Sequence, residues 1–373
     1  MNYFCTFVYS LNGLKRRIFQ PDQVCFAIEM KSGVRTVCSQ KFVGRKYLIR
    51  TLAACCFSLT TTTGLLAEEK LNSVKQDAIE VGLSLEQPEK LAPTNKPYEF
   101  FLRTGYRKDN LNWNEAGGSV NILSELKWEN LQIAQISAAA RLYFHTDWSL
   151  RGMLSYGSII SGSNQDSDYN GNNRTLEFSR SNNKGGGEVR DGSISLGKTL
   201  HLSNHASENF LSISPLVGLS IHQQKLKMTD GYQTLPAIGS YPGLDSSYDA
   251  QWQGPWAGID TMMEWGGNWS LTATAEYHWA RYSAKANWNL RSAFSHPVSF
   301  VHTANGQGVL LAAGSTYLVN KDWRFVFSVE AQQMNTGAGT DQTFFSDGTV
   351  GYYPLNGVHW EAMSYNLGMV YQF

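Results

Sequence analysis

Apolar and polar residues alternate with a period of two along most of the chain from Tyr98 to its end. The alternation is clear over residues 269–279 and again in the last eleven residues, 363–373, which end on an aromatic residue. Successive side chains of a β-strand point to opposite faces, so this period predicts strands that separate two environments. An apolar strand edge would promote aggregation in a soluble protein. Closure into a barrel with its apolar face in lipid removes that hazard, although a strand of a soluble sandwich is the simpler alternative.

About ten strands follow from the pattern, and their connections alternate between short and long. We therefore predict an all-β fold, a closed antiparallel transmembrane β-barrel of about ten strands over residues 98–373. Several strands exceed the roughly 9–11 residues that cross a bilayer, so the wall is expected to project beyond the membrane. Short turns belong on the periplasmic side and long loops outside the cell. The short turns are predicted near Asp147, Asn204, Gly267 and Lys321, and the long loops include 161–190, 229–249, 283–306 and 335–357.

Tryptophans lie next to several short turns, where an aromatic belt meets the membrane interface. They are Trp148, Trp265, Trp269 and Trp323. No run of about eighteen uncharged apolar residues occurs, so no transmembrane helix is predicted. The predicted location is the outer membrane of a bacterial cell, with outer-membrane lipid as one partner.

The first 67 residues read as a leader that contains a secretory signal peptide. A basic segment at 45–50 precedes an apolar run at 51–66, and cleavage is expected near Ala67. Residues 1–29 are an over-extended start if Met30 is the true first residue. Cys55 follows a short lipoprotein-like sequence, but Arg50 leaves little apolar chain before it. Residues 68–97 are polar and are expected to form a periplasmic lead-in.

Composition narrows the chemistry of the mature chain. The 31 Lys and Arg residues balance 31 Asp and Glu residues, so no basic field indicates nucleic acid. All five cysteines lie in the leader, at positions 5, 25, 38, 55 and 56. The mature chain is therefore expected to have no disulfide framework, thiol nucleophile or zinc site, and no metal or other cofactor is predicted.

Two carboxylates stand close together after the third predicted strand. Asp166 and Asp168 are two positions apart, so on extended chain they share a face. Carboxylates this close raise one pKa and can share a proton or hold a water. A solvated loop is the alternative. Asp166, Asp168, Asn170 and Glu177 also fit the spacing of a calcium loop, although the flanks read as strand and Arg174 adds a positive charge.

At these residues the chain resembles the omptin family of ten-stranded outer-membrane endopeptidases. Asp166-Ser-Asp168 lies where omptins carry an Asp-x-Asp pair, and Glu177-Phe-Ser-Arg180 is similar to an acidic-Ser-Arg stretch in the same loop. The resemblance extends over residues 98–373. Further matches in kind and place are Asn121–Trp128, Gly239–Gly243 and Tyr371–Phe373.

The resemblance implies a water held by Asp166 and Asp168 and activated by a histidine of a second pair, Asp-x-His. It places His296 at the base and Phe294 where the orienting Asp belongs. Losing such an orienter costs about four decades of rate in the serine-protease template, so activity is expected to be reduced, altered or absent. No cofactor is implied beyond lipopolysaccharide as a requirement for activity.

The acidic specificity pocket of omptins is half matched. The resemblance places Asp109 at one acidic position and Ser292 at the other, which weakens the preference for a basic side chain because a buried cation has a single partner.

Three functions stay open at this point. The first is a surface endopeptidase that cleaves peptides or surface proteins. The second is an inactive surface barrel that acts as an adhesin or binding protein through its long loops, and the third is a small pore, which a side-chain-filled interior disfavours. A carboxylate such as Glu276 or Asp341 within reach of His296 favours the enzyme; an apolar wall around it favours binding.

Overall fold

The computed structural model describes residues 96–145, 147–202 and 210–373, together with the backbone of 23–30 and 33–40. The chain divides into two units, Met1–Glu89 and Lys90–Phe373. In the first, β1 (Gln23–Met30) and β2 (Gly33–Gln40) pair as an antiparallel hairpin. The predicted signal peptide, its cleavage site, the lipoprotein alternative and the lead-in before Lys96 lie outside the described residues.

The second unit is an antiparallel barrel, as the alternation predicts. Ten strands form a hydrogen-bonded ring in chain order, with the last strand paired to the first. They are β3 (Tyr98–Gly117), β4 (Val120–Phe144), β5 (Trp148–Gly171), β6 (Thr175–Lys198), β8 (Phe210–Leu235), β10 (Ser246–Trp265), β11 (Trp269–Asn287), β12 (Phe300–Leu318), β13 (Trp323–Thr336) and β15 (Val350–Gln372). Three short strands join this sheet at its ends, namely β7 (Leu200–His201), β9 (Gly239–Ser240) and β14 (Gly339–Phe344).

The C-terminal strand closes the ring. Phe373 and Tyr98 exchange backbone hydrogen bonds of 3.1 and 3.3 Å, and their rings stack with centroids 5.3 Å apart. The apolar outer face of β15 therefore continues that of β3 and leaves no free edge, which is the condition for a strand wall in lipid.

An outward-facing apolar band marks the membrane-spanning part of the wall. On β3 the exposed residues up to Tyr106 are aromatic or apolar except for Thr104, and Lys108 follows; on β11 Trp279 is followed by Arg281. At the other end of the band, next to the short turns, Trp148, Trp265, Trp269 and Trp323 are all exposed, as an interfacial belt requires. Within the described residues, no helix is long and apolar enough to cross a membrane.

The predicted long loop at 161–190 is wrong. It is a hairpin in which β5 and β6 continue to a three-residue 3₁₀ turn, Asn172–Arg174. In this hairpin the buried positions are themselves largely polar, among them Asn164, Ser181 and Asn183, so the strands form without an apolar–polar alternation.

Inside the barrel, two layers of side chains lie one above the other. Near the upper edge of the band is a paired layer made by Arg107, Asp109, Asp191 and His222. Arg107 binds Asp109 through two nitrogens at 2.6 Å and Asp191 at 2.7 Å, and His222 lies 2.9 Å from Asp191. Above it, a buried aromatic core fills the outer half of the barrel. It includes Trp113, Trp128, Tyr248, Trp252, Tyr282, Trp288, Phe300 and Trp360.

Candidate functional site

Strand register brings acidic residues to one level of the inner wall above the membrane band. Glu115 on β3 pairs with Ser124 on β4, which pairs with Asp168 on β5. Asp166 lies on the same face of β5 as Asp168. It follows Ile160, an exposed apolar residue of the band, by six residues, so both aspartates lie above the band. On another part of the wall, His302 on β12 lies directly opposite Asp341 on β14. We call Glu115, Asp166, Asp168 and Asp341 the acidic cluster.

Asp166 has a strongly perturbed carboxyl group. Burial and the charge of Asp168 raise its pKa to about 7, although Arg291 and a hydrogen bond from Trp288 act in the opposite direction. The Arg291 guanidinium lies 3.4 Å from Asp168. The predicted pair therefore exists on one face of a strand, and its nearest cation is an exposed arginine from the β11–β12 loop. The raised pKa of Asp166 agrees with the prediction that two carboxylates this close raise one pKa.

Within the same cluster, the pKa values of Glu115 and Asp341 are shifted in opposite directions. Burial, the hydrogen bond to Asp341 and the nearby charges of Asp341, Asp168 and Asp166 raise the pKa of Glu115 well above its usual range. Burial opposes ionisation of Asp341 too, but hydrogen bonds from His302 and Glu115 outweigh it and lower its pKa. Glu115 is therefore the protonated partner and Asp341 the ionised one.

A buried hydrogen-bond chain fixes His302. Its Nδ1 lies 2.8 Å from the Tyr248 hydroxyl, which in turn lies 2.6 Å from the Tyr282 hydroxyl. Its Nε2 lies 3.3 Å from Oδ2 of Asp341, and the Trp113 ring packs edge-on at 4.7 Å. Because His302 is fully buried, this carboxylate–imidazole pair is not accessible to a peptide at the outer surface.

His296 lies elsewhere, on the exposed part of the β11–β12 loop. Its Nδ1 contacts Oδ1 of Asn287 at 2.8 Å. Neither carboxylate named as a possible replacement is the partner of His296. Glu276 contacts His278, and Asp341 contacts His302. The surroundings are not an apolar wall either. An amide therefore occupies the orienting position.

The Phe294 side chain packs partly buried against the aromatic core. Its ring centroid lies 6.0 Å from that of Phe345, with which it also forms a backbone bridge. Ser292 is exposed on the same loop.

Asp109 is not part of the acidic cluster. It belongs to the paired layer, where it is 1% exposed and accepts hydrogen bonds from Arg107 and from the indole of Trp360 at 3.0 Å. Asp109 and Ser292 therefore do not form a joint acidic pocket in this arrangement, and their role in substrate binding stays a prediction.

The calcium-loop spacing falls on the two strands of a hairpin. Glu177 lies on β6, where Arg180 binds both of its oxygens, and Asn170 is exposed near the turn. The structure does not place Glu177 with the aspartates. Among the described residues, the imidazole and carboxylate groups that converge are a different set, namely Glu115, His302 and Asp341.

Sequence reasoning missed this converging set. His302 lies in a stretch that we expected to be a loop, and Glu115 was not singled out. The available signal was weak: each residue is a single polar position facing inward on an alternating strand. Barrel closure brings Glu115 next to His302 and Asp341, which lie 187 and 226 positions later in the chain.

Comparison with solved structures supports the fold. The outer membrane protease OmpT from Escherichia coli matches with a TM-score of 0.62 at 14% identity, covering 76% of this chain and 99% of that one. The transport unit of the autotransporter AIDA-I from E. coli matches over 78% and 94%, at 10% identity and a TM-score of 0.33. The outer membrane protein OprG from Pseudomonas aeruginosa matches over 74% and 97%, at 12% identity and a TM-score of 0.29. The OmpT match shows a shared barrel fold, and the other two scores are too low to support an argument.

Among curated proteins, no sequence matches the chain. A family model does: that of the Protochlamydia outer membrane protein family matches residues 101–373, almost the whole barrel. Together with the closed barrel and its apolar band, this match places the protein in the bacterial outer membrane. The chain belongs to the Protochlamydia outer membrane protein family.

Proposed function

We propose that the protein is a surface-binding barrel that takes a basic segment of a peptide or protein at Asp166 and Asp168. The observation that carries the proposal is the contact between Arg291 and Asp168, in which this acidic pair already holds a guanidinium group. Arg and carboxylate groups match in charge and in planar geometry, so an arginine from a partner can make the same contact.

Arg291 is readily displaced. Its side chain is 56% exposed and reaches Asp168 with a single contact of 3.4 Å. Exposed ion pairs contribute about 0–1 kcal/mol, so exchanging Arg291 for an incoming arginine costs little.

The experiment measures fluorescence anisotropy of a labelled arginine-rich peptide against the detergent-refolded mature barrel, with a citrulline peptide of equal length as the uncharged control. Asp168→Asn combined with Asp166→Asn is expected to weaken binding at least about tenfold, as the loss of charged partners implies. Arg291→Ala is expected to strengthen it by removing the internal competitor.

The matched control is Asp230→Asn, which removes an exposed carboxylate on β8 away from the acidic pair. Equal affinity for the two peptides, or equal weakening by the control and the double variant, would contradict the proposal.

A second candidate is the omptin-type endopeptidase, favoured by the contact of His296 with Asn287. Papain-like enzymes orient their histidine with an asparagine, so an amide is a chemically acceptable orienter. Asp166, with a pKa of about 7, could then help to hold the attacking water.

This candidate is tested by cleavage of a quenched peptide library with lipopolysaccharide present. Loss of cleavage in both Asp166→Ala and His296→Ala, and a faster rate in Asn287→Asp, would support it. A parent protein that cleaves no peptide but still binds the arginine peptide would contradict the endopeptidase candidate and support the binding function.

A further inference from the structure

We propose that Glu115, His302 and Asp341 form a binding site for one divalent transition-metal ion of the Zn²⁺ type. The site lies inside the barrel above the membrane band. It does not depend on the binding of a basic segment at Asp166 and Asp168.

The three side chains are spaced as ligands of a single ion. One ligand atom from each lies within 4.8 Å of the others. His302 Nε2 and Asp341 Oδ2 are 3.3 Å apart, which is about the separation of two ligands that each lie ~2.0 Å from a tetrahedral ion. Three protein ligands and one open position are the common composition of accessible zinc sites.

Outer hydrogen bonds hold the ligand atoms toward one another. Thr343 donates to Oδ1 of Asp341 at 2.9 Å, which leaves Oδ2 for an ion. Tyr248 contacts Nδ1 of His302, and Tyr282 contacts Tyr248, so the imidazole is held with Nε2 directed at Asp341. Such partners orient metal-bound histidines and carboxylates in proteins. A metal ion at Nε2 takes the place of the proton that this nitrogen donates to Asp341.

Glu115 supplies an independent sign of a missing partner. Its Oε2 is buried and has no hydrogen-bond partner among the described residues. A buried polar atom without a partner costs free energy. A cation between the three groups removes this cost.

The surroundings select the class of metal. The aromatic rings of Trp113 and Phe300, with centroids 4.7 and 5.0 Å from that of His302, surround the imidazole and leave few oxygen ligands. Calcium prefers six to eight oxygens, and magnesium retains several waters. One imidazole and two carboxylates suit a zinc-type ion better.

Isothermal titration of untagged, EDTA-treated, refolded barrel with Zn²⁺ tests the site, with Co²⁺ absorption as a second readout of the ligand set. One ion per chain is expected. Glu115→Gln, which preserves shape, and His302→Gln are each expected to weaken binding about 100-fold. If His302→Gln does not fold, Tyr248→Phe keeps all three ligands and is expected to weaken binding about tenfold.

The matched control is His359→Gln, which removes a partly exposed histidine outside this cluster and is expected to retain the affinity. Asp168→Asn should still bind one ion while losing peptide affinity, which separates this proposal from the preceding one. Absence of Zn²⁺ binding by the parent, or unchanged affinity in Glu115→Gln, would overturn it, as would Ca²⁺ binding in preference to Zn²⁺.

Discussion

The paired layer and the acidic cluster are both buried groups of charged residues in one barrel, yet they are balanced differently. In the paired layer, Arg107 lies between Asp109 and Asp191, and His222 binds the second carboxylate. In the acidic cluster, four carboxylates share Arg291 and His302, and one oxygen of Glu115 has no partner among the described residues.

The difference separates a structural role from a binding role. Paired charges that satisfy one another fill the barrel interior and leave little capacity for a ligand. Carboxylates that lack cations retain affinity for any cation that can reach them. The comparison therefore points to the upper part of the barrel, rather than its membrane-level interior, as the binding region.

Breaking the paired layer is expected to have the largest effect. Arg107→Ala leaves Asp109 and Asp191 buried without their shared cation, and we expect a loss of roughly 3–5 kcal/mol in the free energy of unfolding. Urea unfolding of the barrel in lipid vesicles measures it. Arg190→Ala, which removes an exposed arginine paired with Glu188, is the matched control and should change stability by less than about 1 kcal/mol. Equal losses would show that the layer is not the stabilising element.

The same layer is expected to restrict passage through the barrel. Arg107, Asp191 and His222 border a cavity of about 50 Å³, which has room for water molecules but is not a wide channel. We expect no ion conductance from the parent in a planar bilayer and an increase in Arg107→Ala. Equal conductance in both would favour the pore function and remove the layer as its barrier.

Removing a charge from the acidic cluster is expected to raise the free energy of unfolding, whereas removing one from the paired layer lowers it. The folded-state pKa of Asp166 is raised to about 7 from an ordinary value of 3.8. The protonated carboxyl group therefore contributes to the stability of the fold below about pH 4, and this contribution is lost as the pH rises through 7. We expect Asp166→Asn to be more stable than the parent at pH 8 by roughly 1–3 kcal/mol, and not at pH 4.

Urea unfolding of the metal-free protein at both pH values measures this. Asp347→Asn is the control, because Thr349 lowers the pKa of that exposed carboxyl and the change should bring no gain at pH 8. A gain for Asp166→Asn that is equal at both pH values would contradict ionisation as its cause.

The smallest expected effect is on ligand affinity. Ionisation of Asp166 near pH 7 adds a negative charge, so binding of the arginine peptide should strengthen by about a few-fold between pH 6 and pH 8. Anisotropy titrations across this range measure it. Asp166→Asn should flatten the profile; a profile that is unchanged in this variant would assign the pH dependence to another group.

Much of the fold was predictable because its signal is local. A strand crossing from lipid to a polar interior must alternate, and tryptophans gather where the wall meets the interface, so the ten-stranded barrel and the exposed Trp148 and Trp323 follow from the sequence. The same reasoning failed at 161–190, since the outer face of this hairpin lies beyond the lipid and its buried positions, such as Asn164 and Asn183, are polar too.

The candidate site was predictable only in part, for the same physical reason. Asp166 and Asp168 are two positions apart on one strand, so their shared face and perturbed pKa follow from strand geometry. The partners of the histidines depend on which strands pair and in which register. The β11–β12 loop folds back to bring Asn287 to His296, and pairing of β14 with β12 joins Asp341 to His302. Closure of the barrel brings Glu115 to Asp341 and His302.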